Sequence, residues 1–240
     1  MRRATLLSAV VALAVPAVLL GNGLWLLVND WYVHAEYARP GFPDDRFGFT
    51  AAERTRLALV GLDSIHPFNR DGVDVLREAR LPAGGPAFNE REIVHMQDVR
   101  GLVGKVLLAH AIALLAILVA WILARAGHVR GAVSRGLLVG GLLTLALAAT
   151  LGLMMLVAFD WFFVQFHEAL FTGETWQFPD SDTLIRLYPD VFWSDFGGVL
   201  AGLTVLQAAA LSGGLWWWLR RERARARPPV RRTETAPGAP

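Results

Sequence analysis

A chain of 240 residues that is 54% hydrophobic and 18% charged, with a mean hydropathy of +0.40, is too apolar for a soluble domain and too charged to lie wholly within a membrane. It has no cysteine, which excludes disulfides, thiolate metal sites and a cysteine nucleophile. The net charge of +2 is small, so any electrostatic asymmetry must come from where the charges fall rather than from their sum.

In chain order, four stretches are long and apolar enough to cross a hydrocarbon core of about 30 Å at a rise of about 1.5 Å per residue: Ala4–Val28, Leu102–Leu123, Gly136–Phe159 and Phe196–Leu219. The expected class is therefore an all-α, polytopic membrane protein with four transmembrane helices and a small helical extracytoplasmic cap. The first span follows Arg2 and Arg3 but is longer than a signal-peptide core, and no small-residue cleavage site precedes Asn29, so it reads as an uncleaved anchor. Residues 1–28 are then the first span, 29–100 the main part of the cap and 101–124 the second span. Residues 125–135 form a short loop, 136–159 the third span, 160–195 a second cap loop, 196–219 the fourth span and 220–240 a basic, disordered tail.

The N-terminus, the loop "RAGHVRGAVSR" and the tail together hold twelve basic residues and two acids, a charge of +10 against −8 for the remainder. By the positive-inside rule, both termini face the cytoplasm and both large loops face outward. A basic tail beside a membrane reads as a contact for anionic lipid, not for nucleic acid.

The first outer segment opens with "NDWYVHAEYARPGFPDDRFGF", whose Trp31, Tyr32 and Tyr37 suit a headgroup-level aromatic belt. Thr50 with Glu53 forms a capping box that starts a helix to about Asp63, and "DGVDVLREARL" gives a second short helix ended by "PAGGP". Asn89 with Glu92 is another cap pair, and no strong breaker follows before Leu123. One helix should therefore rise about three turns out of the membrane, with His95 just above the hydrocarbon boundary. In the second outer loop, Asp160–Phe171 continues the third span as a helix. Asp182–Tyr188 is a short helix capped by Ser181 or Asp182 and stopped by Pro189.

On the rising helix, Arg91, His95 and Asp98 share a face, with Glu92 three residues before His95; Asp160 and His167 are likewise seven apart. A carboxylate beside an imidazole fixes its tautomer and raises its basicity. Two readings of these histidines stay open: bonding of helix-end backbone, or a site shared by two outer loops. A metal site of Glu92, His95, His167 and Glu168 is disfavoured because "HEALF" has Phe171 where H-E-x-x-H needs its second histidine. A serine hydrolase would need Ser64, Ser181 or Ser194. Neither Ser64 nor Ser194 lies in a G-x-S-x-G elbow, and Ser181 reads as a cap. A non-catalytic lipid-binding or assembly protein is the rival of a different class. A channel is disfavoured because the spans hold almost no polar path. Lys105 snorkels and a neutral His110 bonds a neighbouring helix. His34, His66 and His128 are read as structural.

The "E-x-x-H-M-x-D-V" run within Glu90–Val99 resembles the first signature of the bacterial lipoprotein intramolecular transacylase (Lit) family. "FHEALF", Trp176 and "DTLIRLYPDVFW" resemble its second. The resemblance implies an acyltransferase of the bacterial cytoplasmic membrane, acting at its extracytoplasmic face. Its partners would be membrane lipids and the lipid-modified N-termini of membrane lipoproteins. One acyl chain would move from the diacylglyceryl group to the N-terminal cysteine amine. Paired histidines implicated in that family's catalysis map to His95 and His167, and no cofactor or metal is implied. Around them, Asp98 is expected to orient His95, and Arg91, Arg186 and Tyr188 to contact the oxyanion or headgroup. Glu92 and Trp176 complete the expected supporting set.

Overall fold

The computed structural model describes residues 2–225 apart from 130, 172 and 174, and of Arg223 the backbone alone. Of the tail expected to be disordered over 220–240, residues 220–225 instead continue the last helix, and the remainder lies outside the described residues. Among the described residues there is no strand, only an isolated antiparallel bridge between Arg80 and Pro86.

Four helices are long and apolar enough to cross a membrane: α1 (Arg2–Leu27), α5 (Glu90–Ala126), α6 (Gly131–Val157) and α9 (Asp190–Arg225). The chain is an all-α integral membrane protein of four spans. Its bundle is built on α1 against α6. Side chains cannot supply a hydrophobic drive in lipid, so close backbone approach must do so. A Cβ added at Gly136 would lie 2.6 Å from the Ser8 carbonyl oxygen, and one at Gly140 would lie 2.6 Å from Val15 Cβ. This Gly-x-x-x-Gly face seats the Leu7, Val11, Val15 and Leu19 ridge of α1. α9 packs on α6, and α5 packs mainly on α1. His110 bonds a neighbouring helix as expected, its Nε2 lying 3.0 Å from Asn22 Oδ1, and Asn22 in turn donates to Gln207 Oε1 at 3.0 Å.

One end of the bundle carries the cap, made of α2 (Asp30–Tyr37), α3 (Ala51–Ile65), α4 (Asp74–Glu78), α8 (Thr183–Leu187) and the projecting turns of α5 and α9. Its core holds Leu57, Leu76, Phe88, Ile93, Leu187 and Phe192. Both capping boxes, Thr50/Glu53 and Asn89/Glu92, are formed. Arg100, at the foot of the cap, donates to the carbonyls of Ser64, His66 and Asn69 and so closes the end of α3.

Three expectations change. α2 is a helix that the aromatic composition concealed; only Trp31 of its aromatics is exposed, while Tyr32 is buried in the cap core and Tyr37 packs against it. The third span does not run on to Phe171: α6 stops at Val157, Ala158 leaves the helical region (φ −148, ψ 55), and α7 (Phe159–Leu170) starts afresh. Asp182 stands at the N-cap of α8 but makes no side-chain cap bond, because its carboxylate faces Arg91 instead.

Replacing Gly140 by Leu should force α1 from α6, costing on the order of 1–3 kcal/mol as overpacking does. A thermal-unfolding scan in detergent should show a lower apparent Tm, while Gly213→Leu, at a position with open space, should leave it nearly unchanged.

Candidate active site

α5 carries His95 up from the bundle and α7 carries His167 across to meet it. Their ring centroids are 6.1 Å apart with planes inclined by 26°, and both side chains are nearly buried, each 9% exposed. Aromatic rings close around the pair. Phe171 and Phe178 set their edges against His95 at 5.1 and 5.4 Å, Trp176 stacks on His167 at 4.9 Å, and Phe163 lies 4.1 Å from it.

This shelter determines the protonation of both rings. Burial pushes His95 down to about 4, and the neighbouring His167 adds to the depression. His167 is also lowered by burial, partly offset by its bond to the Phe163 carbonyl. That bond fixes a tautomer: the oxygen 2.7 Å from Nδ1 only accepts, so Nδ1 carries the hydrogen and Nε2 offers its lone pair. His95 Nδ1 is buried and has no hydrogen-bond partner among the described residues. The pair thus presents neutral imidazoles, one with its basic nitrogen assigned, largely buried among aromatic rings.

The supporting residues divide. Trp176 lines the site directly, and Arg91, half-exposed, stands at its rim over Phe178 (5.7 Å) and 3.3 Å from Asp182. Glu92 is 1% exposed and does not bond His95. Its Oε2 accepts from the Asn89 amide and its Oε1 from the Leu184 amide, both at 2.7 Å, so one carboxylate joins the start of α5 to α8. Burial raises its pKa against the pull of those amides.

Asp98 does not bond His95 as expected: among the described residues its carboxylate makes no hydrogen bond or ion pair. Arg186 and Tyr188 are taken up by the cap. Arg186 forms a buried bidentate pair with Asp45 at 3.1 and 2.8 Å and stacks on Phe49, and Tyr188 donates to the Ala58 carbonyl at 2.6 Å. The residues that spacing did not reveal are Phe163, Phe171 and Phe178, whose density in the loop read as a membrane-surface signal.

Most of the groups that rival chemistries need are engaged elsewhere. The metal reading needs Glu92, whose oxygens are committed to amides, and Glu168 is exposed and accepts from Gln165. Ser64 and Ser194 each donate to a carbonyl three residues back in their own helix.

Residues 14–193 match the family model for the lipoprotein intramolecular transacylase Lit. The chain belongs to the Lit family. It is therefore an integral-membrane transacylase, of a family that acts on lipoproteins. An uncharacterized protein of Aquifex aeolicus (strain VF5) is 31% identical over 194 residues, 79% of this chain and 84% of that protein. The fold is similar to the in meso structure of the Bacillus cereus Lit, with a TM-score of 0.76 at 19% identity, over 93% of this chain and 98% of that one. A histidine-to-alanine variant of that Lit matches with a TM-score of 0.71 at 18% identity, over 92% and 96%.

Replacing Glu92 by Ala should release α8 from α5. Hydrogen–deuterium exchange read by mass spectrometry should show faster exchange at the Leu184 amide, with α1 and α6 unaffected. Unchanged protection at Leu184 would contradict this coupling.

Proposed function

We propose that this Lit-family chain moves one acyl chain within a diacylglyceryl-modified lipoprotein, from the glyceryl ester to the α-amino group of the N-terminal cysteine. The product is an N-acyl, lyso-form lipoprotein. The observation that carries the reading is the stacked His95–His167 pair, delivered by two separate segments into one aromatic enclosure.

The α-ammonium, with an ordinary pKa of about 7.7–8.0, first releases one proton to water. The amine nitrogen then bonds the acyl carbonyl carbon as the bond from that carbon to the glyceryl oxygen breaks. The second nitrogen-bound proton passes through His167 Nε2 to the departing glyceryl oxygen, leaving an amide and a free hydroxyl. His167 suits the base because the Phe163 carbonyl holds its hydrogen on Nδ1. His95, kept neutral by burial, donates an N–H to the developing oxyanion. Amine and ester belong to one molecule, so correct placement alone supplies up to about 7–11 kcal/mol of the barrier reduction. No acyl-enzyme is required.

The charge distribution supports a cytoplasmic location for both termini and the arginine-rich end, with cap and histidines at the extracytoplasmic face of the bacterial cytoplasmic membrane. A lipoprotein tethered in the outer leaflet by its own acyl chains would then present its modified cysteine at the depth of the pair.

Expression in a strain whose lipoproteins are diacylated with a free α-amine should convert them to the N-acyl lyso form, read by mass spectrometry of N-terminal lipopeptides. His95→Ala and His167→Ala should each lower turnover by more than about a hundredfold, the scale of lost acid–base catalysis. Both variants should elute as monodisperse protein in detergent. Retained turnover in either would remove that residue from the reaction.

The pH profile gives an independent check. Because both imidazoles titrate below the ordinary histidine value of about 6.5, the rate should rise with deprotonation of the substrate amine and show no second limb near 6.5. Phe178→Ala, which admits water to His95, should move the histidine limb upward. A wild-type limb near 6.5 would contradict the sheltered-pair scheme.

A further inference from the structure

The proposed reaction starts from a cation, yet the enclosure around the histidines is neutral and aromatic. A desolvated ammonium needs a counter-charge, and most carboxylates near the pair already have partners. Glu92 is bound to two amides, Asp182 faces Arg91, and Glu168, on the outward side of α7, accepts from Gln165. Asp160 lies seven residues before His167, about 10 Å along α7, and is exposed.

Asp98 is different. It sits one turn from His95 toward the membrane, at the i+3 position, where Cβ atoms stand about 5–6 Å apart. It is half-buried, and it makes no hydrogen bond or ion pair among the described residues. The cations on the same helix leave it alone: Arg91 is on Asp182, Arg100 is held by three carbonyls of the cap, and Lys105 makes no ion pair with it.

Resting on the transacylase reading, we infer that Asp98 is a substrate-binding residue whose carboxylate receives the α-ammonium of the lipid-modified cysteine. It is the amine recognition point of the site. Once acylated, the nitrogen carries no charge and two fewer N–H bonds than the ammonium, so it has no claim on this carboxylate. The same contact that admits the substrate therefore lets the product go. It also accounts for an acid placed beside His95 that does not bond to it.

The test uses the full chain in nanodiscs and two unreactive probes: a diether-glyceryl cysteinyl peptide with a free α-amine, and the same peptide N-acetylated. Ether linkages cannot donate an acyl group, so binding is read without turnover. The wild-type protein should bind the free-amine probe on the order of tenfold or more tighter, as expected for a hydrogen bond between charged groups. Asp98→Asn should bring the ratio to about one by weakening the free-amine probe alone, and Asp98→Glu should keep most of the preference. Retained binding of the N-acetyl probe shows that a variant is folded. A wild-type ratio near one, or an unchanged ratio in Asp98→Asn, would overturn the assignment. A protein that keeps the preference but leaves the ester lipopeptide unconverted would overturn the reaction and not the amine site.

Discussion

The site depends on the carboxylate of Glu92. It is almost fully removed from solvent, and its two oxygens accept from amides at opposite ends of the cap's connectivity, Asn89 and Leu184. A buried carboxylate is costly unless fully hydrogen-bonded, so this one fixes the geometry of both partners at once. The Asn89 bond closes the capping box that starts α5, and the Leu184 bond holds the second loop against it. His95 lies one turn further along the same helix. Trp176 and Phe178, which face the two imidazoles, lie on the loop so held.

From that anchoring the electrostatics follow. Aromatic rings enclosing two imidazoles remove water without adding charge, and desolvation then keeps both rings neutral. A single polar contact, the Phe163 carbonyl on His167 Nδ1, selects a tautomer within this otherwise apolar setting. The cap's strong ion pair, Arg186 with Asp45, lies within its own fold and serves its rigidity.

Much of this architecture is readable from the chain itself, because bilayer thickness sets a length rule that Leu102–Leu123 and its three counterparts obey. Capping boxes at Thr50/Glu53 and Asn89/Glu92 are local, so three-residue spacing reveals them. The histidine pair is legible through its motifs. The roles of Glu92, Arg186 and Tyr188 are not, since their partners are 92, 141 and 130 residues away. The break at Ala158 is hidden for another reason: neither Gly nor Pro marks it, and the residues on both sides are apolar. Aromatic density in the second loop fits a membrane surface and an enclosure equally well, and only packing distinguishes them.

That break has a mechanical consequence. Helices answer hydrophobic mismatch by tilting, and a rigid rod from α6 into the cap would carry every change of tilt to the imidazole of His167. With the helix interrupted at Ala158, α7 takes its bearing from the ring contacts of the cap. Bilayers of different thickness, or altered lipid order, can then reorient α6 while the spacing between the two imidazoles holds.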